Sequence, residues 1–298
     1  MTMPKSLPMT PGRRVALAIG VPVALVIIGW MALTAVAWAG QASYRVHLRI
    51  PVRSHTLTLA VNSGQVSLRG RSTGVVRATG TAHYSLVRPH ITWRSTNSGT
   101  SIHSSCEDLT GPCSVDFTVT MPAGLTTDVS DDSGDLAASG LHGRVTLLAQ
   151  SGNIDASAMT AGVLISAQSG DITAAGLSGP SVLIKDSSGN ITADRLTGPS
   201  VTIKDQSGDV TAAGLKNPDM TVTDQSGNIT LTFASVPARV QVTCDSGDVK
   251  LVLPGGSTAY RVDARTSSGS TSVQVPRNPA APHVITVTDQ SGNIAITR

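Results

Sequence analysis

The sequence is short of aromatic side chains: Phe, Trp and Tyr together make 3% of its 298 residues, and beyond residue 123 only Phe233 and Tyr260 remain. A sugar-cleaving cleft normally needs aromatic platforms beside a carboxylate or basic cluster, and this chain has little to build them from. Cysteine is nearly absent too, with Cys106, Cys113 and Cys244 the whole supply. That excludes a zinc site of two spaced Cys pairs. No Gly-x-Ser-x-Gly elbow occurs, no Gly-Gly-x-Gly-x-Asp calcium repeat, and no Gly/Ser linker that would separate two domains. Around the recurring Ser-Gly turns no sustained i, i+3, i+4 apolar pattern runs, so the repeats do not read as amphipathic helices.

What the chain has is a phrase that returns: Ser-Gly, then Asn or Asp, then an aliphatic residue. Its glycines are Gly134, Gly152, Gly170, Gly189, Gly208, Gly227, Gly247, Gly269 and Gly292, at steps of 18, 18, 19, 19, 19, 20, 22 and 23 residues. A period near 20 is the mark of stacked repeats. Seven and five residues before the glycine come pairs such as Val182/Ile184 and Val201/Ile203. Two and four residues after it come Ile191/Ala193 and Val210/Ala212. Alternation at period two on both sides of a turn describes half-buried strands. The predicted fold is all-β, a single-stranded β-solenoid of 18–23-residue coils, with in-register coils from 127 to 296. Leu177, Leu196 and Leu215, each followed by Pro180, Pro199 or Pro218, mark the opposite turn.

The residue after each glycine supports the stacking independently. It reads Asp135, Asn153, Asp171, Asn190, Asp209, Asn228, Asp248, Ser270, Asn293. An Asn between two Asp residues relieves like-charge contact and can hydrogen-bond along a ladder. Three residues before the glycine, Asp186, Asp205 and Asp224 stack without such relief. Two readings stand: each Asp caps its own Ser-Gly turn, with Lys185 and Lys204 offsetting repulsion, or the three carboxylates hold calcium. The cap is preferred, and no metal or cofactor is expected. Thr173, Thr192, Thr211 and Thr230 form an outward threonine column, which a strand explains as well as ice binding does.

Residues 1–14 are basic, with Lys5, Arg13 and Arg14, and read as a cytoplasmic segment. Val15 to Ala39 is uncharged; its 25 residues would reach about 37 Å as a helix, enough to cross a bilayer core of about 30 Å. Arginines on the near side put the N-terminus in the cytoplasm. The segment is expected to be a retained signal anchor, with cleavage after Ala39 the alternative. The rest is then extracytoplasmic, where Cys106 and Cys113 are expected to form a disulfide and Cys244 to replace an inward alanine in the column of Ala149 and Ala167.

Residues 41–123 alternate less regularly and read as the irregular base of the same solenoid, ahead of regular repeats over 124–298. Ser63-Gly64 and Ser98-Gly99 look like worn copies of the phrase, which would space Gly64, Gly99 and Gly134 about two coils apart. The base carries eight Arg against three acids, the repeats eleven Lys/Arg against sixteen Asp. Such a balanced chain is not a nucleic-acid binder. The basic part could meet anionic lipid head groups or cell-wall polymers. His47, His55, His83, His90 and His103 also lie in the base, without metal-ligand spacing.

The apolar leader, the run Asp116-Phe117-Thr118-Val119-Thr120-Met121-Pro122-Ala123-Gly124 and the Ser-Gly-Asp/Asn phrases after it resemble the bacterial putative-adhesin (LiaG-like) family over about residues 44–298. The resemblance implies an extracytoplasmic β-solenoid on one transmembrane helix, without catalytic residues to carry over. The expectation is a non-enzymatic envelope-binding or scaffolding protein of the cell membrane. Its partners would be the bilayer through residues 15–39 and a cell-wall polymer or envelope protein. An accessory of envelope-stress signalling and a polysaccharide-active solenoid enzyme are the alternatives.

Overall fold

In the computed structural model, residues 20–31, 40–106 and 111–298 are described. Strands alternate between two facing sheets, one of thirteen strands and one of twelve. Each repeat gives one strand to each sheet, joined through the Ser-Gly turn, and pairs in parallel with the repeat before and after it. The pair Val182/Ile184 lies on Val201/Ile203, and Ile191/Ala193 on Val210/Ala212, with no slip of register. Inward positions are at most a few per cent exposed, and one apolar core runs from Val46 to Ile296. Each inward Ile or Val contributes about 2 kcal/mol on burial. The all-β repeat architecture expected from the period is therefore present.

At Gly208 two physical demands meet. Its φ is +145°, and a Cβ there would lie 1.7 Å from the carbonyl oxygen of Gly189 in the coil below. A side chain is excluded both by the backbone conformation and by the closeness of the stack.

The order of coils departs from chain order at both ends. The strand pair Val284–Ser291 and Ile294–Thr297 stacks directly on Arg239–Ser246 and Val249–Val252, while Arg261–Ser268 and Thr271–Val273 lie outside it as the terminal coil. The long steps of 22 and 23 residues supply the chain for this crossover. Side-chain size explains which coil lies inside. Ile285, Val287, Ile294 and Ile296 are fully covered, whereas Val262, Ala264 and Val273, smaller and with no coil beyond them, stay half-buried.

At the other end, Gly64 lies immediately beneath Gly134, its N–H donating to Ser133 O at 2.9 Å. No two-coil interval separates them. Gly99 is not a solenoid turn; it closes the antiparallel hairpin of His90–Ser95 and Thr100–Ser105, accepting from Thr96 N at 2.9 Å. Ala42–Pro51 pairs antiparallel with Val75–Tyr84, which pairs antiparallel with Ser114–Pro122. The base thus shares the sheets and the core of the repeats while breaking their parallel pattern.

The helix of residues 20–31 covers twelve residues of the expected span, about 18 Å of rise. Among the described residues no helix is long and apolar enough to cross a membrane. The remainder of Val15 to Ala39, like residues 1–14, lies outside the described residues.

Candidate functional site

The most ordered chemistry is at the Ser-Gly turn, where two columns of polar side chains run along the stack. The outer column is a continuous hydrogen-bonded ladder. Asp171 Oδ1 accepts from Asn190 N at 2.8 Å and from Asn190 Nδ2 at 3.3 Å, and Asn190 Oδ1 accepts from Asp209 N at 3.0 Å. The same unit repeats from Asp135 to Asp248. The crossover extends it: Asn293, not Ser270, lies on Asp248, donating N at 2.8 Å and Nδ2 at 3.1 Å. Ser270 then ends the ladder on Asn293 Oδ1. Below, register places Gln65 between Asp116 and Asp135, and its N–H donates to Asp116 Oδ1 at 2.9 Å. Read in spatial order, acid and amide alternate from Asp116 to Asn293 without a break.

The inner column is different. In stacking order it runs Asp131, Ala149, Ala167, Asp186, Asp205, Asp224, Cys244, Asp289, Thr266. All five carboxylates are buried, at 1–4% exposure. Each caps its own turn through Oδ1: Asp186 accepts from Ser187 N at 2.7 Å, Asp205 from Gln206 N at 2.8 Å, Asp224 from Ser226 N at 3.2 Å. Asp131 and Asp289 do the same with Ser133 and Ser291. Oδ2 of Asp131, Asp186, Asp205 and Asp224 has no hydrogen-bond partner. Only Asp289 Oδ2 receives a donor, Thr266 Oγ1 at 3.3 Å. The free Oδ2 faces the glycine of its own turn; that of Asp186 lies 2.8 Å from where a Cβ on Gly189 would stand. A glycine Cα–H is the weak donor left to it.

Burial raises the carboxyls of Asp131, Asp186, Asp205 and Asp224, and neighbouring carboxylates raise them further. Asp131 is pushed up to about 7, and Asp186 and Asp224 to about 6, with the turn N–H groups pulling the other way. Asp205 moves in the same direction for the same first cause. Cys244 stands between Asp224 and Asp289 in this column, so its immediate neighbours are acids and not the alanines of the first coils. Burial, then those two acids, pushes its thiol up to about 11. Lys185 and Lys204 do not offset the column. Strand alternation sends both outward, and no salt bridge among the described residues joins them to an Asp.

A calcium reading gains nothing from this geometry: among the described residues no three or more His, Cys, Asp or Glu side chains are grouped to hold a metal ion. The five base histidines are exposed and scattered over both sheets; His83 Nε2 lies 3.8 Å from Asp116 Oδ2. A disulfide joins Cys106 to Cys113 at the turn before Ser114–Pro122. The threonine column Thr173, Thr192, Thr211 and Thr230 is in register on the outer face, followed by Lys250.

The repeat and the fold together invite a comparison with known families, and the model for Toastrack DUF4097 matches residues 30–297. The chain belongs to the Toastrack DUF4097 family. Solved structures similar to this Toastrack chain include a putative adhesin of Bacteroides fragilis, 11% identical, with a TM-score of 0.47 over 86% of this chain and 97% of that one. A putative adhesin of Parabacteroides distasonis is 10% identical, with a TM-score of 0.45 over 85% and 97%. A putative cell adhesion protein of Clostridium sporogenes is 10% identical, with a TM-score of 0.27 over 86% and 99%. No curated protein matches the chain.

Sequence reasoning missed three things in this Toastrack protein. Asp131 and Asp289 belong to the inner column but are separated from its centre by alanines and by the crossover. Gln65 and Asp116 belong to the outer ladder although 51 residues part them. The third is a set of outward arginines in the base, Arg49, Arg69 and Arg77. Their signal is period-two spacing, Arg45-x-His47-x-Arg49 and Arg69-x-Arg71, but only the antiparallel pairing brings the two runs onto one face.

Proposed function

We propose that this Toastrack protein is a non-enzymatic, membrane-anchored solenoid whose extracytoplasmic body binds or scaffolds components of the cell envelope. The observation that carries the reading is the helix of residues 20–31. Leu25, Val26, Ile28 and Trp30 are 60–70% exposed there, so these apolar side chains find no cover among the described residues. A helix apolar all round belongs in a core or a bilayer. The helix lies within the uncharged stretch Val15 to Ala39, whose 25 residues are enough in number to span a bilayer, and Arg13 and Arg14 before it favour a cytoplasmic N-terminus. Adhesin names among the similar structures agree with a binding role.

The test is topology. Membranes of the source cell should hold a full-length species whose residues after 40 are digested by protease added from outside. A soluble chain beginning near Gly40 would replace the anchor with a cleaved signal; protection from external protease would reverse the orientation.

A further inference from the structure

On the outer face of the thirteen-stranded sheet, the base carries a row of arginines that the rest of the molecule would lead one to avoid. Arg49 on Ala42–Pro51 stands directly opposite Arg77 on Val75–Tyr84. Arg77 pairs with Thr120, Thr120 with Arg69, and Arg69 with Ser139, followed by Ser157. The row therefore reads Arg, Arg, Thr, Arg, Ser, Ser along the stacking direction, its three arginines spanning about 14 Å at the strand spacing. Like charges directly opposite on one face destabilise a sheet. The outer ladder of the same protein separates every acid with an amide, so tolerance of Arg49 against Arg77 calls for a cause outside the fold.

Among the described residues no acid pairs with them. Arg49, Arg69, Arg71 and Arg77 are exposed and make no salt bridge or side-chain hydrogen bond. Beside Arg69 and Arg71 lies an open groove of about 420 Å³ with Ser67, Ser139 and Ser157 on its walls. Its floor has no side chains at Gly70 and Gly140, whose backbones pack so closely that a Cβ on Gly70 would lie 2.0 Å from Gly140 O. Asp155 is the one acid on its rim. In the row itself the first acid is Asp194, four strands beyond Arg69, and it is already paired with Arg195.

We propose that this row and groove are a binding site for a linear polyanion, such as a phosphate-bearing envelope polymer, lying along the stack across the strands. Guanidinium groups hold phosphate or carboxylate oxygens bidentately, and the serine hydroxyls supply neutral donors between charges. The polymer's charge is the missing counterpart of Arg49 and Arg77. The inference rests on the envelope-scaffold reading and adds the chemical class of the ligand. A bilayer is the less favoured occupant, because the row starts on the edge strand Ala42–Pro51 and runs from there up the side wall, so a flat surface beneath the base would meet Arg49 and leave Arg69 behind it.

The test uses the full chain in neutral-detergent micelles, with linear inorganic polyphosphate as the probe and binding followed by calorimetry at two salt concentrations. Wild type should bind, more weakly at high salt. Arg77→Gln and Arg69→Gln should each lower affinity about tenfold. Asp155→Asn should tighten binding, and Arg261→Gln, on the terminal coil at the far end, should leave it unchanged. Arg77→Gln should also melt no lower than wild type, since it relieves a like-charge pair; loss of binding is then not loss of fold. Absence of polyphosphate binding by wild type, or wild-type affinity retained in both Arg77→Gln and Arg69→Gln, would overturn the site. So would binding confined to vesicles of equal phosphatidylcholine and phosphatidylglycerol, which would assign the row to a lipid surface. The protease test of topology stands apart from every one of these outcomes.

Discussion

Two columns of aspartate flank the same turn, one outside the wall and one inside, and they meet the same difficulty in opposite ways. Both would stack carboxylates about 4.8 Å apart. The outer column remains in water and inserts an amide between every two acids, so Asp135, Asp171, Asp209 and Asp248 each accept two hydrogen bonds from the next rung. The inner column stacks Asp186, Asp205 and Asp224 without interruption and out of water. It offers each one a turn N–H, no cation, and a raised affinity for protons. Charge on the outside is spaced by amides; charge on the inside is capped and, towards acid pH, discharged.

The largest expected effect separates a capped buried acid from an uncapped one. Ile203 and Asp205 are inward neighbours on one coil, both almost wholly buried. Ile203→Asp provides no turn N–H for its carboxylate and should cost several kcal/mol, with adjacent coils lost in the same transition. Thermal melting near the wild-type temperature would contradict the stacking itself. Gly208→Ala comes next: the new Cβ meets Gly189 O at 1.7 Å and a positive φ, so a loss of at least about 2 kcal/mol is expected by denaturant titration.

The third prediction concerns pH. Folding raises the carboxyls of Asp131, Asp186, Asp205 and Asp224 above their ordinary value, so the folded state binds protons more tightly than the unfolded one. Their stabilising contribution is complete below about pH 4 and is lost as pH rises through 6 and 7. The melting temperature should therefore be higher at pH 5 than at pH 8. Replacing all four by Asn should flatten that difference.

Two smaller effects have opposite signs. Asn190→Asp sets three acids in succession on the outer ladder and removes the Nδ2 donor to Asp171, which should cost about 1 kcal/mol, less at high salt. Asp205→Asn keeps an oxygen for Gln206 N while removing the central charge, so at pH 8 stability should be unchanged or slightly higher. A loss above about 1 kcal/mol there would show that the inner carboxylate does more than cap its turn.

Much of this was legible because repetition writes structure into spacing. The Val/Ile pairs fixed which faces turn inward, and the alternation of Asp135 to Asp248 announced contact between consecutive coils. The ends were not legible, because there contact is no longer between consecutive segments. Ser270 looked like a break in the alternation only because Asn293, later in the chain, is the true neighbour of Asp248. Gly99 carried the letters of the phrase but sits in a hairpin, where short polar turns use the same residues. The arginine row was hidden for a similar reason: period two places Arg45 and Arg49 on one face, yet nothing local says that Arg77 returns antiparallel beside them.

The contrast between the columns is tested most directly by following the carboxyl carbons of the aspartates by NMR as pH is varied. The account predicts midpoints near 7 for Asp131 and near 6 for Asp186 and Asp224, with Asp205 also above the ordinary carboxylate range. Midpoints near 4 for all four would contradict it, and would mean that the inner column stays charged in the wall of the solenoid.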